Sequence, residues 1–170
     1  MEAAGERDAS LTAVLVLVGT AAFLYVADQV TKAAVDAYVA KGARYDVIGD
    51  FVQLWHVRNP GAAFSILPGA TWLFVPVTIL AIGMVAYFHR TLRNRGPLIQ
   101  VILGAILAGS LGNLTDRVRL GEVIDFVSVG IGETRFPTFN VADSAVVLGI
   151  GALVLYLTFI EPRRAAGPAA

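Results

Sequence analysis

Asp28 and Lys32 close one long uncharged run of this chain, and Asn59 precedes a second. Asn113, Asp116 and Arg117 close a third, and Asn140 with Asp143 opens a fourth. Polar and charged groups at the edge of hydrocarbon are costly, so they are usually paired or put to use. Elimination narrows the use. The chain has no cysteine and two histidines, which removes thiolate nucleophiles, Cys-based zinc sites and disulfides. A serine hydrolase would want a histidine beside its nucleophile. Zinc would want about three nitrogen, oxygen or sulfur ligands, and no His-x-x-x-His pair is present. There is no Gly-Lys-Ser/Thr phosphate loop and no dinucleotide fingerprint. Carboxylates remain. Asp125 and Asp143 can meet if residues 126–142 fold back. Two close carboxylates cannot both ionise cheaply, so they share a proton, one acting as base toward water and the other as acid toward a carbonyl. Such a pair needs no metal and no cofactor.

Each of these residues also has a plainer reading. Asp28 and Lys32 are spaced i,i+4, so an ion pair on a helix surface, or a snorkelling lysine, accounts for them. Asp116 and Arg117 fit interfacial anchors or a structural salt bridge. Asn140 is a good N-cap, and Asp143 three residues later complements a helix dipole. Asp125 fits a solvated loop acid. His56 and His89 fall on opposite sides of the spans and cannot form one site; both are expected at the interface or in water.

The elements that must position these groups are apolar helices. Of 170 residues 56% are hydrophobic and 15% charged, where a soluble domain carries about 25% charged residues; the mean hydropathy is +0.70. Residues 9–27, 70–88, 97–115 and 144–160 hold no Asp, Glu, Lys, Arg or His. Each is near the roughly 17–25 residues that cross a bilayer. The expectation is an all-α membrane protein with four transmembrane helices. Net charge is zero, so nothing points to nucleic acid. The region before the first run, with Glu2, Glu6, Arg7 and Asp8, is too acidic for a cleaved signal, and the run is too long for one.

Residues 89–96 between the second and third runs contain three arginines, and Arg163 and Arg164 come after the fourth. The longer connections, 28–69 and 116–143, spread seven basic residues thinly. By the positive-inside rule both termini face the cytoplasm and the polar cluster faces outward. Residues 51–57 and 123–129 are rich in β-formers and predict a small extracytoplasmic β-layer, with Trp55 and Trp72 at the interface. Pro60, Pro68 and Gly69 break the chain before the second helix, and Pro76 lies inside it. In the third run the pairs Gly104/Ala108 and Ala105/Gly109 suit close helix packing. Residues 1–160 read as one membrane-embedded domain and 161–170 as a disordered cytoplasmic tail.

Five blocks carry a resemblance over about residues 28–149: Asp28-Gln-Val-Thr-Lys32, Asn59-Pro-Gly-Ala-Ala-Phe-Ser65, Gly112-Asn-Leu-Thr-Asp-Arg117, Gly121-Glu-Val-Ile-Asp-Phe126 and Phe139-Asn-Val-Ala-Asp-Ser144. In order and spacing the chain resembles lipoprotein signal peptidase (signal peptidase II), a family of bacterial inner-membrane aspartyl endopeptidases. The resemblance implies that Asp125 and Asp143 are the catalytic dyad, that Asn59, Asn113, Arg117 and Asn140 line the substrate site, and that Asp28, Lys32 and Asp116 support it. It implies cleavage of a prolipoprotein before its diacylglyceryl-modified cysteine, without metal or cofactor, by a protein that meets membrane lipid and works as a monomer. Pro60 and Ser65 depart from the family's usual residues, and neither touches the dyad. The competing class is a proton-coupled membrane transporter, since intramembrane carboxylates also relay protons. Against it, the acids sit at helix ends and no charge lies at mid-membrane. A structural membrane subunit is the third, and would leave both acids replaceable.

Overall fold

The computed structural model describes residues 2–61 and 71–162; of residues 2–9 and 71–73 it describes the backbone alone. Ser65, Pro68, Gly69, Arg163, Arg164, the Trp72 side chain and the tail from 163 onward therefore lie outside the described residues. Four long helices carry the apolar runs: α1 (Glu2–Tyr38), α2 (Thr71–Leu92), α3 (Pro97–Leu120) and α4 (Val141–Leu155), the last continued by a π-turn, Tyr156–Ile160. All four are long and apolar enough to cross a membrane. Outward-facing Phe23 is 72% and Leu148 73% exposed, surface that fits hydrocarbon rather than water.

α3 is the central helix, packed against α1, α2 and α4. Its Ile99, Leu103 and Ile106 meet Leu17 of α1, Val85 and Leu92 of α2, Leu153 of α4 and Tyr156 of the π-turn that follows it in one core. Pro97 opens α3 where its missing N–H goes unneeded, and Gly121 closes it in the left-handed conformation, φ 76°, with its N–H donating to the Arg117 carbonyl. The small residues expected to aid packing in this helix let neighbours approach. A Cβ on Gly109 would collide with the Ala142 carbonyl of α4, and one on Gly104 would lie 2.7 Å from the Leu17 carbonyl of α1.

The helices outrun the apolar stretches that announced them. α1 does not stop at Asp28 but continues through Lys32 to Tyr38, because both charges are paired inside the protein and its backbone can go on bonding to itself. At the other end, Glu161 and Pro162 are still helical, and Glu161 pairs with Arg95 at 3.2 Å, so the expected tail does not begin at 161.

Between the helices lies a four-stranded antiparallel sheet in sequence order, β1 (Arg44–Ile48), β2 (Val52–Asn59), β3 (Val123–Ile131) and β4 (Thr134–Arg135). The two strands expected from alternation are β2 and β3; β1 and β4 are additions. Val35 of α1 packs with Ile124 and Phe126 of β3, which fixes the sheet to the end of the bundle. β2 carries a bulge, since Leu54 faces Val127 whereas Val57 faces Asp125. One extra residue on β2 re-aims the end of the strand, and that end carries Asn59.

The close approach of α3 and α4 gives a direct test. Gly109→Ala should destabilise the protein by about 1–3 kcal/mol, seen as a lower thermal midpoint in detergent. Gly19→Ala, whose new Cβ meets nothing within 4 Å, should leave the midpoint unchanged or slightly raised.

Candidate active site

One lysine organises the end of the bundle nearest the sheet. The Lys32 side chain is 2% exposed. Its ammonium lies 2.9 Å from Asp28 Oδ2 and 2.8 Å from Asp116 Oδ2, and donates to Asn113 Oδ1 at 3.0 Å. An ammonium has three N–H donors, so all are used. The two carboxylates reach onward. Asp28 Oδ1 accepts the Ala142 N–H at 2.9 Å, and Asp116 Oδ2 accepts the Ile124 N–H at 3.3 Å. Gln29 Nε2 donates to both acids, at 3.1 and 3.2 Å. Asp28 thus ties the start of α4 to α1, and Asp116 ties the start of β3 to α3. The ion pair expected on a helix surface is instead buried between helices, because α3 supplies Asp116 and Asn113 to receive it.

Above this cluster the two candidate acids come together. Residues 132–140 fold back along β3, with Val127 N–H donating to the Phe139 carbonyl at 2.8 Å and Phe139 N–H returning to Val127 at 3.0 Å. That places Asn140 between the acids. Its Nδ2 donates to Asp125 Oδ1 at 2.8 Å and its backbone N–H to Asp143 Oδ2 at 3.1 Å, while its Oδ1 accepts the Asp143 N–H at 2.8 Å. The last two bonds form a capping box. The N-cap reading and the dyad geometry are therefore one set of bonds. Asn59 Nδ2 donates to Asp125 Oδ2 at 3.0 Å, and Asn113 Nδ2 to Asp143 Oδ1 at 2.7 Å.

Asp125 is no solvated loop acid: it lies within β3 and is 2% exposed. Burial, then the neighbouring Asp143 charge, push its pKa up from 3.8 to about 7, against hydrogen bonds from Asn59 and Asn140 and the charge of Lys32. A carboxyl poised there can hold or release a proton near neutrality.

Two cavities flank the pair. On the Asp143 side an apolar groove of about 360 Å³ runs between α2, α3 and α4, bordered by Phe74, Val77, Gly109, Val146 and Val147. On the Asp125 side a more polar pocket of about 460 Å³ opens over the sheet, bordered by Trp55, Asn59, Glu133 and Arg135. Phe136, Pro137 and Thr138 wall both. Arg117 borders the groove. Its guanidinium lies 4.2 Å from the Phe74 ring centre and makes only long bonds, 3.4 Å to the Asn113 carbonyl and 3.5 Å to that of Gly61. Donors are left for a ligand.

All the residues expected at the site gather at this end of the bundle, though not in one role. The Asn140 Nδ2 is already shared among Asp125, the Asn113 Oδ1 and the Ile124 carbonyl, and the residue is 1% exposed. The Asn113 Oδ1 accepts from Lys32 and Asn140, and its Nδ2 donates to Asp143. Asn140 faces the acids rather than open space, whereas Asn113 also borders the apolar groove. Asp116 pairs with Lys32, and Arg117 makes no salt bridge among the described residues. Among those residues, no group of three His, Cys, Asp or Glu side chains is placed to hold a metal.

His56 corrects an expectation. It is 1% exposed, not interfacial, because it occupies the bulge of β2 against the end of α1. Its Nδ1–H donates to the Val39 carbonyl at 2.7 Å, leaving Nε2 to accept from Arg58 Nε at 3.3 Å. Arg58 is held in turn by Asp36 and by Glu122. His89, also expected in water or at the interface, is half-buried at the arginine-rich end, where it bonds Gln100 at 2.7 Å. Neither histidine carries a local pattern that tells burial from exposure.

Known proteins resemble this chain over most of its length. The family model described as signal peptidase (SPase) II matches residues 20–159. The chain belongs to the signal peptidase II family. It is 40% identical over 141 residues to a lipoprotein signal peptidase of Symbiobacterium thermophilum, covering 83% of this chain and 93% of that one. It is 41% identical over 152 residues to one from Syntrophus aciditrophicus, covering 85% and 92%. A solved bacterial membrane enzyme superposes with a TM-score of 0.77 at 32% identity over 94% of this chain and 93% of its own. A second does so with a TM-score of 0.75 at 35% identity over 88% and 94%. A signal peptidase II family member is a peptidase of the bacterial inner membrane, which displaces the transporter and structural-subunit readings.

The raised pKa of Asp125 makes a prediction about stability. In the unfolded chain the group titrates near 3.8, in the fold near 7. Its contribution is complete below pH 4 and is lost as pH rises through 7. Relative to Asp125→Asn, the wild-type protein should therefore lose stability between pH 4 and 8, by up to on the order of 4 kcal/mol. Thermal unfolding of both proteins across that range tests it. Parallel curves would mean that burial does not hold the proton on Asp125.

Proposed function

We propose that this peptidase is an aspartic endopeptidase that cuts prolipoproteins on the N-terminal side of a diacylglyceryl-modified cysteine. One observation carries the reading: Asn140 holds Asp125 through its side chain and Asp143 through its backbone, so two carboxylates are fixed at the mouth of an apolar groove. In the resting pair the shared proton resides on Asp125, whose pKa stands at about 7. Asp143 takes a proton from the attacking water as Asp125 donates to the carbonyl oxygen of the scissile bond. As the gem-diol collapses the C–N bond breaks, Asp143 passes its proton to the leaving nitrogen and Asp125 takes one from a gem-diol hydroxyl, so the pair returns to one proton shared. Arg117 donates to the substrate's carbonyls, since its guanidinium makes only long bonds within the protein. Asn59, Asn113 and Asn140 aim the acids, and Asn59 and Asn113, which border the two cavities, also line the path of the substrate; Asp28, Lys32 and Asp116 hold the elements that carry them. No step requires a metal or a cofactor.

The membrane supports the same assignment. A signal peptide is an apolar helix and the modified cysteine carries acyl chains, so the bond to be cut waits at a leaflet surface. The groove beside Asp143 is apolar and lies between membrane helices. Arg90, Arg93 and Arg95 cluster at the opposite end of the bundle from the acids. The positive-inside rule then places both termini in the cytoplasm and the dyad at the extracytoplasmic face of the inner membrane. The helices and strands of a single chain supply every group named, so a monomer suffices.

Two experiments test this. Asp125→Asn and Asp143→Asn should each lower single-turnover cleavage of a lipid-modified precursor by several orders of magnitude. The double variant should be little worse than either, as for groups that act as a unit. Asp116→Asn should instead lose activity together with thermal stability, because it leaves the buried Lys32 with one carboxylate fewer. Substantial cleavage by Asp143→Asn would reduce that acid to a helix cap. For orientation, a reporter active only in the cytoplasm should work when fused after Arg95 and stay silent after residue 45 or 130; the reverse pattern would put the dyad on the wrong face.

A further inference from the structure

The polar pocket on the Asp125 side has its own chemistry. Arg44 of β1 is exposed, and its guanidinium lies 3.6 Å from the centre of the Trp55 ring. Arg135, across the pocket, is already neutralised: it bonds Asp50 at 3.2 Å and Ser128 Oγ at 2.8 Å. Among the described residues Arg44 makes no ion pair, and Glu133 makes none. Arg44 is thus a cation whose direction is set by a ring rather than by an acid, and stacking of this kind holds a guanidinium without discharging it.

Register places this cation along the strands. Arg44 stands opposite Trp55, two residues before Val57, which faces Asp125. The offset is roughly 7 Å, the length of about two extended residues. The apolar groove and the polar pocket lie on either side of Phe136–Thr138 and share that wall. A chain cut at the dyad with its apolar helix in the groove must leave over the pocket.

We infer that the Arg44–Trp55 pair reads the charge of the substrate just beyond the cleavage point, favouring an acidic side chain among the second to fourth residues after the lipidated cysteine. This rests on the peptidase reading above and adds a specificity to it. Glu133, at the turn before β4, faces the same pocket and opposes Arg44. An acid that replaces water beside a stacked guanidinium gains a half-exposed ion pair, which corresponds to about threefold to fivefold in rate.

The test uses the full-length protein in detergent and three lipidated precursors that differ only at those positions, carrying aspartate, asparagine or lysine. Wild-type protein should show a kcat/KM ratio of acidic to neutral precursor of about three to five. Arg44→Gln should bring the ratio to one, Arg44→Lys should keep part of it, and Glu133→Gln should raise it. Ratios are compared within each variant, so a loss of overall activity from altered folding does not affect the reading. Equal cleavage of the three by the wild-type protein, or a ratio unchanged by Arg44→Gln, overturns the inference while leaving the peptidase reading intact. Cleavage of none of the three overturns both.

Discussion

The buried ammonium of Lys32 is the constraint on which the rest of the site depends. A lysine at 2% exposure persists beside hydrocarbon only if its charge is balanced and all three donors are used. Asp28, Asp116 and Asn113 do both. Removing one member of such a buried cluster costs about 3–5 kcal/mol, because the partner is left charged and unpaired. The requirement draws α1 and α3 together at one depth. It also sets the Asn113 amide: with Oδ1 facing Lys32 and Asn140, its Nδ2 can only point to Asp143. An electrostatic need two helices away thereby fixes the orientation of a candidate catalytic acid.

The same sharing of groups governs Asn140. As the N-cap of α4 it supplies a side-chain acceptor for the Asp143 N–H, and Asp143 answers with a carboxylate for the Asn140 N–H. Helix capping of this kind contributes about 1 kcal/mol and is found on ordinary helices. Here the remaining amide hydrogens of Asn140 extend to Asp125. On sequence grounds the cap reading and the catalytic reading of Asp143 compete, yet they are compatible because a carboxylate has two oxygens. One oxygen is held by the cap and the other by Asn113.

Whatever depends on local pattern, or on chemistry by exclusion, is legible in the sequence. Uncharged runs long enough for a bilayer mark the four helices, and β-formers mark β2 and β3. The absence of cysteine and of paired histidines leaves carboxylates for proton chemistry, and the family resemblance singles out Asp125 and Asp143 among them as the candidate pair. The misses have physical causes. Lys32 reads as the end of the first span because a charge in isolation ends a span; only the acids of other segments make it tolerable inside. All five residues of β1 are exposed, so Arg44–Ile48 shows no alternation of burial to detect. β4 is two residues long and is held by the bonds of Arg135 to Asp50 and Ser128, which no periodicity encodes. His56 is buried by the coincidence of a bulge with the end of α1, a tertiary event.

The placement of the acids also explains why the sheet exists at all. Four helices alone would present Asp143 to the membrane surface with nothing opposite it. A second carboxylate must come from an element that reaches over the bundle and still satisfies its own backbone, and near a membrane that element must pair its strands. β3 does this, bonded to β2 on one side and to the returning Phe139 on the other, so Asp125 is delivered by a backbone with few free groups. Asp125 then sits 2% exposed between two cavities of opposite character. An acid fully in water would hold no proton at neutral pH, and one fully in hydrocarbon would never lose it. The junction of sheet and helix ends is the place in this fold where a carboxyl is dry enough to be raised to about 7 and still near enough to a polar pocket to exchange its proton.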